Sequence, residues 1–165
     1  MEDLLSQIKF ALNSNLYYLA LYTTLTLPDI CSALSSEDGQ TTGKKYADWY
    51  NKYTKGKCSS NLDGFACYKF RCSSLHQGTT QDNRTGYSRV LFLEPINKNM
   101  VLHDNVFNDA LNIDLNIFCL SMIEAVEEWQ YQMRDNPNFI KNYKTFMRRY
   151  PNGLSPYVVG VPVIS

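Results

Sequence analysis

Leu5, Ile8, Leu12, Leu16 and Leu19 recur at intervals of three and four, the period of an amphipathic helix, and predict a first helix over about 3–27. Pro28 disfavours helical dihedrals at Leu27, so a bend is expected there, with a short restart through Leu34. A polar loop follows over 35–43. Tyr46, Trp49, Tyr50 and Tyr53 then fall on one helical stripe over about 44–55. Ser60 and Asp63 resemble a capping box opening a helix that runs to Gln77, with Gly78 as its left-handed stop. That segment is apolar or small around much of its circumference and is expected at the centre of the fold.

After a second polar loop over 79–88, two short stretches (88–95 and 99–107) read as strands joined around 95–99 in a hairpin. Asn108 is placed to cap the longest helix, about 109–134, whose inner face carries Leu111, Leu115, Phe118, Met122, Ala125, Trp129 and Met133. Beyond Pro137 a shorter helix points Phe139, Tyr143, Phe146 and Met147 inward and ends at 151–153. The expected architecture is mainly α: a bundle of about five helices with a small β-hairpin insertion at about 87–107, forming one domain over 1–153. An extended tail over 154–165 follows, as an edge strand or a wrapped arm.

Composition narrows the function classes. Sixteen basic residues balance sixteen acidic ones, and 44% of the chain is apolar, which excludes both disorder and a generally basic nucleic-acid binder. A local basic patch remains open. No apolar run has the length of a bilayer span, and MEDLLSQIKF lacks the basic start and unbroken apolar run of a secretory signal, so a cytoplasmic protein without membrane contact is expected. Five cysteines, an odd number without a Cys-x-x-Cys pair, argue against a disulfide framework and against zinc. Neither a metal site nor another cofactor is expected.

The segment with chemical promise is Arg71-Cys72-Ser73-Ser74-Leu75-His76. Five residues turn a helix through about 140°, yet the long guanidinium stem can swing to the rim that carries the imidazole. Arginine offers a fixed charge and a planar fork matched to phosphate oxygens, and histidine exchanges a proton near neutrality. Asp29 and Asp63 are the candidate carboxylate partners of Arg71. Cys72 would act as a thiol nucleophile only if exposed and acidified. His103, beside Asp104 in the second strand, is expected at the surface, because neighbours in a strand point to opposite faces.

An Arg-x4-His on a helix of a small α-bundle resembles the signature of the HEPN superfamily, many of whose members are metal-independent ribonucleases of toxin–antitoxin and phage-defence systems. The resemblance covers the motif and its helical setting. It implies RNA as substrate and a homodimer with motifs from two subunits facing one cleft. It further implies His76 as general acid or base, Arg71 as stabiliser of the transition-state charge, and products carrying a 2′,3′-cyclic phosphate and a 5′-hydroxyl. Lys69, Arg84 in the loop flanking the motif, and Lys44 and Lys45 in the lysine- and aromatic-rich 44–57 are the candidate contacts to RNA. At helical spacing the aromatics of that segment also read as core, with the lysines solvated. The competing reading is a non-catalytic helical module in which Arg71 and His76 are structural and a protein partner binds an aromatic-rich surface.

Overall fold

The computed structural model describes residues 1–81, 83–95 and 101–165, and within them six α-helices and three small sheets. The helices are α1 (Glu2–Asn13), α2 (Tyr17–Ser35), α3 (Gly43–Tyr53), α4 (Gly64–Gln77), α5 (Leu115–Met133) and α6 (Pro137–Tyr143). The first expected helix is therefore two. Asn15 takes a left-handed φ of 57° and the Leu16 amide turns back to the carbonyl of Ala11, closing α1 at Asn13, well before Pro28. Pro28 lies inside α2 without ending it. The ring leaves the Thr24 carbonyl without its helical donor, but α2 packs on α1, α3, α4, α5 and α6 at once, and that burial holds it helical. The central helix is thus α2 rather than α4.

Gly64 explains how α3 and α4 cross. A Cβ at this position would lie 2.3 Å from the Ala47 carbonyl oxygen, so only glycine permits the approach. Asp63, not Ser60, caps α4, its side chain accepting from the Ala66 amide at 2.8 Å. Gly78 ends the helix at φ 66°, as the sequence predicts, with the amides of Gly78 and Thr79 returned to Ser74 and Ser73.

The insertion is not the expected hairpin. Strands β1 (Arg89–Leu93), β2 (Asn105–Phe107) and β3 (Ala110–Asp114) form one sheet in the order β1-β3-β2. β1 runs parallel to β3, and the antiparallel hairpin is β2–β3. Its turn is built on Asn108 and Asp109, both at positive φ (48° and 60°). The connection expected around 95–99 lies mostly outside the described residues. Because 110–114 is a strand, α5 starts at Leu115 and is capped by Asp114, not Asn108.

The core joins both layers: Tyr46, Tyr50, Phe70, Phe118, Met122 and Trp129 are nearly solvent-free, with Leu111 and Ile113 contributed by β3. Phe139 of α6 meets Trp129 edge-on, and Asn142 donates to the carbonyls of Ala33, Leu34 and Ser36 at the end of α2. α6 stops at Tyr143, and Met147 is exposed rather than inward. The segment beyond folds on itself: β4 (Arg149–Tyr150) pairs with β7 (Val163–Ile164), and β5 (Gly153–Leu154) with β6 (Val158–Val159). Among the described residues no helix is long and apolar enough to cross a membrane.

Candidate functional site

Arg71 leaves α4 on the side facing α2, and His76 stands in the last turn of α4, before Gly78. The guanidinium lies between two partners. Its Nη2 is 2.8 Å from Oδ2 of Asp29, and its Nη1 is 3.0 Å from Nε2 of His76. Of the two carboxylates open from the sequence, Asp29 is the partner of Arg71. Asp63 is spent at the opposite end of the helix, as the cap of α4.

The ion pair is largely withdrawn from water, the side chains of Arg71 and Asp29 being 20% and 14% exposed, whereas His76 is exposed. Burial raises the Asp29 carboxyl above its ordinary value, while the Arg71 guanidinium pulls it back down. Arg71 Nε is buried and meets no hydrogen-bond partner among the described residues. A guanidinium donates and never accepts. As a hydrogen bond, the contact therefore has His76 Nε2 as its acceptor and Nδ1 as the ring nitrogen that carries the proton.

Tyr68, Cys72 and His76 follow one another at four-residue spacing and share a face of α4. The Tyr68 phenol is raised above its ordinary value, chiefly by its hydrogen bond with Cys72. Its ring packs against Tyr46 and over Gly43, where a Cβ would come within 2.6 Å of it. Tyr68 was not among the residues singled out from the sequence, although the 68-72-76 spacing was there to read.

The candidate RNA contacts are dispersed. Lys69 sits 5.9 Å from the centre of the Tyr68 ring, and Arg84 is exposed in a 3-10 turn (Asn83–Thr85) after α4. Lys44 is paired with Asp48, and Lys45 with Asp38 at 3.1 Å. Each charge on the first turn of α3 thus has a carboxylate beside it. The aromatics of the same helix (Tyr46, Trp49, Tyr50 and Tyr53) are buried and offer no stacking face.

His103 and Asp104 also differ from expectation. His103 is half-buried, and its Nδ1 accepts from the Asp114 amide at 3.2 Å. Asp104 adopts a left-handed φ of 58° and clasps the turn before α4. Its carboxylate accepts from the Ser59 hydroxyl, the Ser60 amide and hydroxyl (2.9 and 2.6 Å) and the Asn61 amide (3.1 Å). Burial pushes this carboxyl up, but those hydrogen bonds outweigh it and hold it well below the usual range.

The thiols of Cys58, Cys67 and Cys119 are pushed up to about 12 by burial, which keeps them protonated and unreactive. Among the described residues, no three His, Cys, Asp or Glu side chains gather closely enough to hold a metal ion. No protein-family model matches the chain, and neither a curated protein nor a solved structure does.

Proposed function

We propose that the chain is a metal-independent endoribonuclease of the HEPN kind, with Arg71 and His76 as its catalytic pair. The observation that carries this reading is the 3.0 Å contact between Arg71 Nη1 and the exposed His76 Nε2, backed by Asp29. A cationic donor and a neutral imidazole acceptor then meet at one solvent-facing edge. That is the minimum equipment for transesterification of RNA.

In this mechanism substrate displaces the Arg71–His76 contact: a phosphate oxygen takes the Nη1 hydrogen, and the Nε2 lone pair so released accepts the proton of the ribose 2′-hydroxyl. The 2′-oxygen attacks phosphorus, and Arg71 stabilises the charge that develops on the non-bridging oxygens. The bond from phosphorus to the 5′-oxygen breaks, and the leaving oxygen takes the proton back from the imidazolium. A 2′,3′-cyclic phosphate and a 5′-hydroxyl result. Lys69 and Arg84 steer flanking phosphates, a homodimer is the working unit, and the cytoplasm is its compartment.

The test is purified protein on end-labelled single-stranded RNA beside the His76→Ala variant. General acid–base catalysis contributes about 10²–10⁴-fold, so the variant is expected to lose cleavage by that order. Equal cleavage by both proteins would overturn the reading.

A second reading is favoured by a different observation. Phe10, Leu16, Tyr18 and Leu19 are exposed where α1 passes into α2, and Tyr18 borders an apolar groove lined by Leu21, Phe70, Phe92 and Leu115. That surface suits a protein partner. In this case Tyr18→Glu abolishes partner binding, while His76→Ala leaves it intact.

A further inference from the structure

We propose that Asp29 is the positioning residue of this site, and that by fixing the Arg71 guanidinium it selects the His76 tautomer whose lone pair is on Nε2, where it accepts from Arg71 until a phosphate displaces that donor. The inference deepens the ribonuclease reading and rests on it for its purpose, though not for its geometry.

The argument starts from the reach of Arg71. Its side chain has enough rotatable bonds to place the guanidinium in many positions, and helical geometry alone directs it away from His76. Asp29 removes that freedom. It projects from α2, the helix packed on all five others, and its carboxylate is only 14% exposed, so its attraction for Nη2 at 2.8 Å is weakly screened by solvent. With Nη2 tethered, Nη1 comes to rest at Nε2 of His76. The fork of Nη1 and Nη2 is thereby fixed at the edge that carries His76, and such a fork matches phosphate oxygens.

The tautomer matters because only one ring nitrogen lies next to those donors. With the proton on Nδ1, the basic atom Nε2 is beside the place where phosphorus would sit. With the proton on Nε2, the lone pair would be on Nδ1, across the ring and out of line. The function assigned to Asp29 is therefore to choose which nitrogen is the base, acting through Arg71 and touching no substrate.

The chain supplies its own reference. It holds two histidines, and His103 accepts through Nδ1 from the Asp114 amide, which puts its neutral proton on Nε2. His76 and His103 are thus predicted to be opposite tautomers in one molecule.

The experiment is nitrogen-15 NMR of the imidazoles in the full chain at a pH where both rings are neutral, assigned with His103→Gln. In the wild type, His76 is expected to show a protonated Nδ1 and an unprotonated Nε2, and His103 the reverse. Asp29→Asn is expected to abolish the His76 preference, giving a mixed or inverted tautomer, while His103 is unchanged. Should Asp29→Asn disturb the amide spectrum as a whole, Arg71→Met, which keeps the apolar stem and removes the donors, replaces it with the same expected outcome. A wild-type His76 protonated on Nε2, or a tautomer indifferent to a folded variant, overturns the proposal. Absence of RNA cleavage alongside the expected tautomers sinks the nuclease reading and leaves this one standing. Cleavage by a protein whose His76 is protonated on Nε2 does the opposite.

Discussion

Arg71 and His76 meet side chain to side chain, Nη1 3.0 Å from Nε2, although the helix that carries both directs them about 140° apart. The approach is possible because His76 occupies the final turn, where its exposed ring leans freely, and because Asp29 draws the guanidinium across the face of α4. The fork is what makes this arrangement.

Arg71→Lys keeps the positive charge and loses the fork. One ammonium cannot reach both Asp29 and His76 in the same geometry, so under the proposed ribonuclease mechanism RNA cleavage is expected to fall roughly 10²-fold in rate, in the range seen when one transition-state donor is removed. Single-turnover cleavage with saturating enzyme checks this. A lysine variant with the wild-type rate would show that charge alone suffices.

Gly64→Ala forces a Cβ to within 2.3 Å of the Ala47 carbonyl oxygen, which is backbone and cannot swing aside. The α3–α4 crossing must open, at a cost of about 1–3 kcal/mol. A urea midpoint shifted down by that amount is expected. Gly78→Ala makes a useful comparison, since its strain comes from a φ of 66° in open space and not from a collision.

Asp104 predicts a pH dependence of stability. Its folded carboxyl lies below the ordinary 3.8, held there by Ser59, Ser60 and Asn61 against the effect of burial. The stabilisation is therefore complete above about pH 4 and is lost as the pH falls through that value toward the depressed one. Asp104→Asn cannot accept the same set of donors and should cost about 1–2 kcal/mol near neutrality, given partial exposure. Urea unfolding across a pH series is the measurement: the acid-side slope should flatten in the variant.

Asn142→Ala removes three donations to the carbonyls that end α2. The Ala33 carbonyl keeps the Ser36 hydroxyl and amide as donors, while those of Leu34 and Ser36 lose the Asn142 side chain, and a loss of about 1–2 kcal/mol follows. Hydrogen exchange should quicken in the last turn of α2 and in α6, with α4 unaffected.

The parts of the fold that were readable in the sequence are those governed by neighbours. The aromatic period of α3, the left-handed stop at Gly78 and the long inner face of α5 all follow from residues within one or two turns. Pro28 misled because its local preference is overridden by five packing partners, none of them local. The β1–β3 pairing joins Arg89 to Ala110 in parallel, a relation that turn chemistry cannot signal. Leu111, Ile113 and Leu115 fit a strand entering a helix as well as a helix throughout, which moved the start of α5 by a turn and a half. At the site, Arg71, His76 and Asp29 were legible as types with matching chemistry. The choice of Asp29 over Asp63 was not, since it depends on which end of α4 faces α2.

Gly64 seats α4 against the backbone of α3, and Asp104 ties down the turn that leads into it. The platform under Arg71 and His76 is consequently anchored at both points, and on the proposed ribonuclease reading a bound strand is accommodated by side-chain torsions and not by travel of a segment. With the guanidinium tethered to Asp29, the adjustable component is one imidazole pivoting about its own side-chain bonds.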